Sequence, residues 1–148
     1  MTAIYSLLLF LVLVALVWFE IRRSERARKR KLTDTFAGRE PLTPEQFYQR
    51  YYADSGIAPE VVLAIHRILE QELETALPYL KPEDSFAGNL RFLFEFDSMA
   101  DVALLLAIED HFQISFTDEE AKATRTVAEL IQSVADKSAK TLETNQNI

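Results

Sequence analysis

The sequence predicts an all-α protein: a four-helix bundle preceded by a short helix and one N-terminal transmembrane helix. Three observations predict it. Apolar residues recur at three- and four-residue spacing in four segments after residue 58. No alternating strand pattern finds a pairing partner. The first 19 residues carry no charge.

Residues 1–21 are expected to form the membrane anchor. Ile4 to Phe19 reads IYSLLLFLVLVALVWF, and about 20 helical residues at about 1.5 Å each cross a hydrocarbon core of about 30 Å. Trp18 and Phe19 stand where interfacial aromatics belong. Seven Lys/Arg against Glu25 alone follow in residues 22–31, an excess that keeps the C-terminal side in the cytoplasm. A single-pass protein of the membrane, in bacteria the inner membrane, is the expected location. The rival, a cleaved signal peptide, lacks a charged n-region and a small-x-small site here.

Residues 22–42 read as a basic juxtamembrane linker, with Gly38 and Pro41 discouraging a continuous helix. Over 43–57 a short aromatic helix starts at Thr43-Pro44-Glu45-Gln46, a capping-box pattern with proline at the first helical position. Phe47, Tyr48, Tyr51 and Tyr52 share one face, which packs onto the main domain or docks a partner. Residues 58–137 form the bundle. Its first helix runs from Pro59 to about Ala76, burying Val62, Ile65, Ile68, Leu69 and Leu73 and leaving Glu70, Glu72 and Glu74 mainly solvated.

A loop follows, with Leu90 to Phe96 as an apolar loop or short helix that packs its phenylalanines on the bundle. The next helix spans Ser98 to Phe112, with Met99, Val102, Leu105, Leu106, Ile108 and Phe112 as its core face. Thr117-x-x-Glu120 and Thr126-x-x-Glu129 are capping boxes that start a short and a final helix. Residues 138–148 read as a disordered tail.

Composition removes several function classes. There is no cysteine, hence no disulfide and no thiolate nucleophile or ligand. His66 and His111 are the only imidazoles, too few for a zinc or haem site, and no metal is expected. His66 reads as a packed or surface residue, and His111 as a helix C-terminal partner of the dipole. The net charge is −7, and residues 51–148 hold 18 Asp/Glu against 7 Lys/Arg, a balance that repels nucleic acid.

Ser98, in Asp97-Ser98-Met99, stands at a helix start, where a plain N-cap would contribute roughly 1 kcal/mol. Its surroundings point elsewhere. Asp97-Ser98-Met99, Ala107-Ile108-Glu109-Asp110-His111-Phe112, Asp118-Glu119-Glu120-Ala121 and Thr126-Val127 follow one another at a spacing that resembles the acyl carrier protein family. The family's Asp-Ser-Leu, Ala-Leu-Glu-Glu-x-Phe, Asp-Glu-Glu-Ala and Thr-Val landmarks are similar. The loop from Phe86 to Ser98 is about four residues longer than in the family.

The resemblance implies a carrier and not an enzyme. Ser98, flanked by Asp97 and Met99, would bear 4'-phosphopantetheine from coenzyme A, attached by a separate phosphopantetheinyl transferase. The arm would hold acyl groups as thioesters for lipid or secondary-metabolite enzymes. Asp101, Glu109 and Asp110 would meet basic patches on loading and acyltransferase partners. An alternative keeps the fold and drops the arm, as an acidic adaptor that recruits a basic protein to the membrane. A hydrolase using Ser98 finds no base and acid partners.

Overall fold

A computed structural model describes residues 2–95 and 99–146, and their side chains apart from those of residues 2–4, 6–9, 20, 21, 24, 142 and 144–146. They fall into two units, 1–37 and 38–148.

The first unit is one long helix, α1 (Thr2–Thr35). The linker expected over 22–42 is therefore helical through Thr35. The reason lies in composition: no glycine or proline occurs in 22–35, and arginine, lysine, alanine and leucine all favour helix. The chain leaves the helix at Gly38, whose φ of 76° suits glycine and strains other residues. Among the described residues no helix is long and apolar enough to cross a membrane. The large apolar side chains from Phe10 to Phe19 are 47–62% exposed.

The second unit holds α2 (Pro44–Tyr51), α3 (Pro59–Glu72), α4 (Ala100–Phe112), α5 (Asp118–Ala123) and α6 (Val127–Gln146), with a 3-10 turn at Arg91–Leu93. Each expected capping box is formed. Thr43 and Gln46 cap α2, Thr117 and Glu120 cap α5, and Thr126 and Glu129 cap α6. The 3-10 turn buries Phe92 and Leu93, as the apolar loop was expected to do. The tail is different: α6 continues through Gln146, past the expected end at 137, because alanine, lysine, leucine and glutamate recur there without a breaker.

α3 is the hub, touching α2, α4 and α6. Val62, Ile65 and Leu69 of α3, Ile108 of α4 and Val127, Ile131 and Val134 of α6 are all buried in the core. The aromatic face of α2 packs on its own unit. Phe47 is buried, with its ring 5.5 Å from that of His66 and 5.7 Å from that of Tyr52. Tyr52 is buried too, and burial pushes its hydroxyl up to about 12.

Two polar anchors tie the loops down. The first is at Glu70, expected in solvent: its Oε1 accepts from the Leu77 amide at 2.7 Å, closing the turn after α3. The second is Asp84, buried in the loop before α6. Its carboxylate accepts from both Nη atoms of Arg39 at 2.8 and 2.9 Å, from the Lys81 amide at 2.8 Å and from Asn89 Nδ2 at 2.7 Å. The Arg39–Asp84 hydrogen bonds raise the pKa of Arg39 above its ordinary value. The Asp84 and Pro82 carbonyls accept from the Val127 and Ala128 amides, so the same loop satisfies the first turn of α6.

His66 yields a pH prediction. It is 2% exposed, and its Nδ1 has no hydrogen-bond partner and lies 3.8 Å from Glu70 Oε2. Burial pushes its pKa below the usual histidine value, although Glu70 and Glu45 favour the charged form. The unfolded chain therefore binds more protons than the folded one in the window below about pH 6.5. Stability contributed by neutral His66 is full above that window and is lost as pH falls through it. Urea unfolding at pH 7.5 and pH 5 checks this: wild type should lose more stability than His66→Leu. Equal losses would contradict it.

Candidate functional site

The groove beside the first turn of α4 is the candidate site. Its position follows from α4 itself, whose residues are apolar on every side, so burial of one row leaves others exposed. Ala100, Leu104 and Ile108, four apart, turn into the core. Met99, Val102 and Leu106, expected in the core face, are instead 60%, 44% and 58% exposed. Among the described residues, α3 is the helix that packs most extensively on α4. Leu105 and Phe112 are half-buried.

Between the buried and exposed rows lies the groove, about 520 Å³. Leu104, Leu105 and Ile108 form its floor with Leu130 of α6, and Phe86, Phe94 and Phe116 form its walls. Phe86 and Phe94 meet edge to face, with ring centroids 6.1 Å apart. Phe94 belongs to the long loop, and the buried Phe92 and Leu93 of the 3-10 turn hold it there. Asp101, Asp118 and Lys122 supply polar groups along the lining. α5, which supplies Asp118, Ala121 and Lys122 to the lining, is tied to α6 by Glu120, which accepts from Lys137 Nζ at 2.8 and 2.9 Å. Lys137 holds the Glu120 carboxyl below the usual carboxylate range.

Asp97 and Ser98 lie outside the described residues. α4 runs from Ala100, and the preceding residue, Met99, makes no side-chain cap. The first-turn amide of Val102 donates to Asp101 Oδ1 at 2.8 Å. Asp101 and Asp110 are exposed. Glu109 is half-buried, and its Oε1 accepts from the Phe116 amide at 2.5 Å, so this carboxylate holds the loop between α4 and α5. Met99, Val102, Leu106 and Asp110 follow at i, i+3, i+7 and i+11, one exposed stripe that ends in an acid. His111 stacks edge to face on Phe112 at 4.7 Å. Among the described residues no group of His, Asp and Glu is placed to hold a metal ion.

No family model matches the chain. It is 30% identical over 80 residues to the acyl carrier protein of Thermosynechococcus vestitus, which covers 54% of this chain and 94% of the relative. The chain belongs to the acyl carrier protein family. It is also 30% identical over 78 residues to the acyl carrier protein of a Picosynechococcus species, covering 53% of this chain and 91% of that protein. The carrier match thus takes up little more than half of the sequence, while the relatives are spanned almost end to end.

For an acyl carrier protein, three features here escaped sequence reasoning. Phe116 as groove lining and Phe94 as its wall had no periodic signal, because both sit outside the α-helices. The exposed Met99, Val102 and Leu106 were masked by the uniform apolarity of α4. The Arg39–Asp84 pair is 45 residues apart in the chain, beyond any local pattern.

Proposed function

We propose that this chain is a membrane-tethered acyl carrier whose Ser98 accepts 4'-phosphopantetheine from coenzyme A. The observation that carries it is the apolar groove that begins three and four residues past Ser98 along the chain, at Asp101 and Val102. Its volume lies within the range of about 300–1,000 Å³ found for small-molecule sites. Phe, Leu and Ile side chains line it, as an acyl chain withdrawn from water would require. Met99, next to Ser98, is 60% exposed, so the chain reaches solvent immediately beside the serine.

When bound, the arm supplies a thiol for a thioester. The residues of this chain then have three tasks. The groove shelters the hydrocarbon, the α4 stripe of Met99, Val102 and Leu106 supplies apolar contact to a partner enzyme, and Asp101 and Asp110 orient basic surfaces on phosphopantetheinyl transferases and acyltransferases. Glu109, occupied by the Phe116 amide, contributes less to docking. Tethering is supported by the uncharged run Ile4–Phe19, the unbroken helix α1 and its exposed apolar side chains. Held at a bilayer, the carrier meets membrane acyltransferases at raised effective concentration.

The full chain, incubated with coenzyme A and a promiscuous transferase, should gain the mass of one phosphopantetheine. An unchanged mass under conditions that load a control carrier would contradict the proposal and leave the adaptor alternative. Once the chain is loaded, Phe94→Ala should open the groove. Hydroxylamine should then cleave a long-chain thioester several-fold faster than on wild type, and an acetyl thioester at the same rate. Equal rates for the long chain would show that Phe94 shelters nothing.

A further inference from the structure

Seven Lys/Arg and one Glu occupy residues 22–31. Because α1 runs unbroken through them to Thr35, these charges are fixed on a helix and not strung along a linker. At 3.6 residues per turn, Arg22, Arg23, Arg26, Lys29 and Arg30 fall within an arc of about 120°. Ala15 and Phe19 continue the same face toward the apolar end.

The described side chains agree. Trp18, Phe19, Arg22, Arg26 and Arg30 surround a trough of about 740 Å³ over the small side chains of Ala15 and Ala27. The Arg22 guanidinium lies 3.7 Å from the centroid of the Trp18 ring. The trough is therefore aromatic and apolar at one end and guanidinium-lined at the other. A nucleic acid would satisfy the cations alone; the exposed run Phe10–Phe19 on the same helix calls for acyl chains as well.

We propose that this face of α1 binds the headgroup phosphate of anionic phospholipids, with Arg22, Arg26 and Arg30 donating to it and Trp18 and Phe19 against the glycerol and upper acyl region. Guanidinium donors in a planar fork suit a phosphate, and basic residues beside an apolar helix are attracted to anionic leaflets. The proposal rests on the membrane association of α1 and is independent of any modification of Ser98.

Trp18 is the only tryptophan, so its fluorescence reports this site alone. The full chain is reconstituted in mixed phosphatidylcholine and phosphatidylglycerol vesicles, with bromine on one lipid or the other at equal mole fraction. Brominated phosphatidylglycerol should quench Trp18 several-fold more strongly than brominated phosphatidylcholine. The triple variant Arg22→Gln, Arg26→Gln, Arg30→Gln should lose that excess and keep the phosphatidylcholine quenching, since glutamine preserves helix propensity. Equal quenching of wild type by the two lipids would overturn lipid selection while leaving the membrane association standing. No quenching by either would overturn both.

Discussion

Asp84→Ala should lower the unfolding free energy by about 3 kcal/mol, more than a typical single substitution costs. The side chain is 1% exposed and accepts four hydrogen bonds, two from Arg39 and one each from the Lys81 amide and Asn89. Alanine leaves the Lys81 amide and Asn89 without this acceptor and removes the carboxylate that pairs with Arg39, itself only 20% exposed. The loss spreads further, because the Asp84 and Pro82 carbonyls in this loop cap α6, and Phe86 in its continuation walls the groove. Asp84→Asn keeps the shape and one acceptor, and should cost less than alanine. Urea unfolding of the full chain followed by circular dichroism measures both. A loss below about 1 kcal/mol for alanine would mean that the buried pair is not desolvated as the structure has it.

Ser98→Ala carries the second large effect, complete loss of loading with the fold intact. The helix starts at Ala100 without a side-chain cap from Met99, and Asp101 already accepts from the Val102 amide. Removing the hydroxyl should therefore change stability by no more than a cap's worth, about 1 kcal/mol. The wild-type chain should take up one phosphopantetheine and the variant none, under one set of conditions. An adaptor that works through the acidic α4 surface would behave alike with either residue, which separates the two readings of this fold.

How far these features were legible in the sequence differs by kind. Helix starts were local problems: Thr43, Thr117 and Thr126 each meet a Gln or Glu three residues on, and all three form caps. The burial of α3 followed from a clean 3.6-residue stripe, Val62, Ile65 and Leu69. The face of α4 was not legible, since Met99 to Ile108 is apolar nearly throughout and periodicity cannot choose among equivalent rows; only its neighbours decide that Leu104 is buried and Leu106 is not. Helix ends failed for a related reason. α1 and α6 both overrun their expected limits because polar residues such as Arg26 and Lys140 say nothing against a helix. The groove itself joins Phe86, Phe94, Phe116 and Leu130 from four separate stretches, a juxtaposition that tertiary packing alone creates. Asp97-Ser98-Met99 was visible by its resemblance.

Tandem mass spectrometry of the peptide containing Ser98, after the full chain has been treated with coenzyme A and a phosphopantetheinyl transferase, tests the carrier assignment most directly. The expected result is one phosphopantetheine on the Ser98 hydroxyl and on no other serine. An unmodified Ser98, in a sample where a control carrier is fully converted, would contradict it.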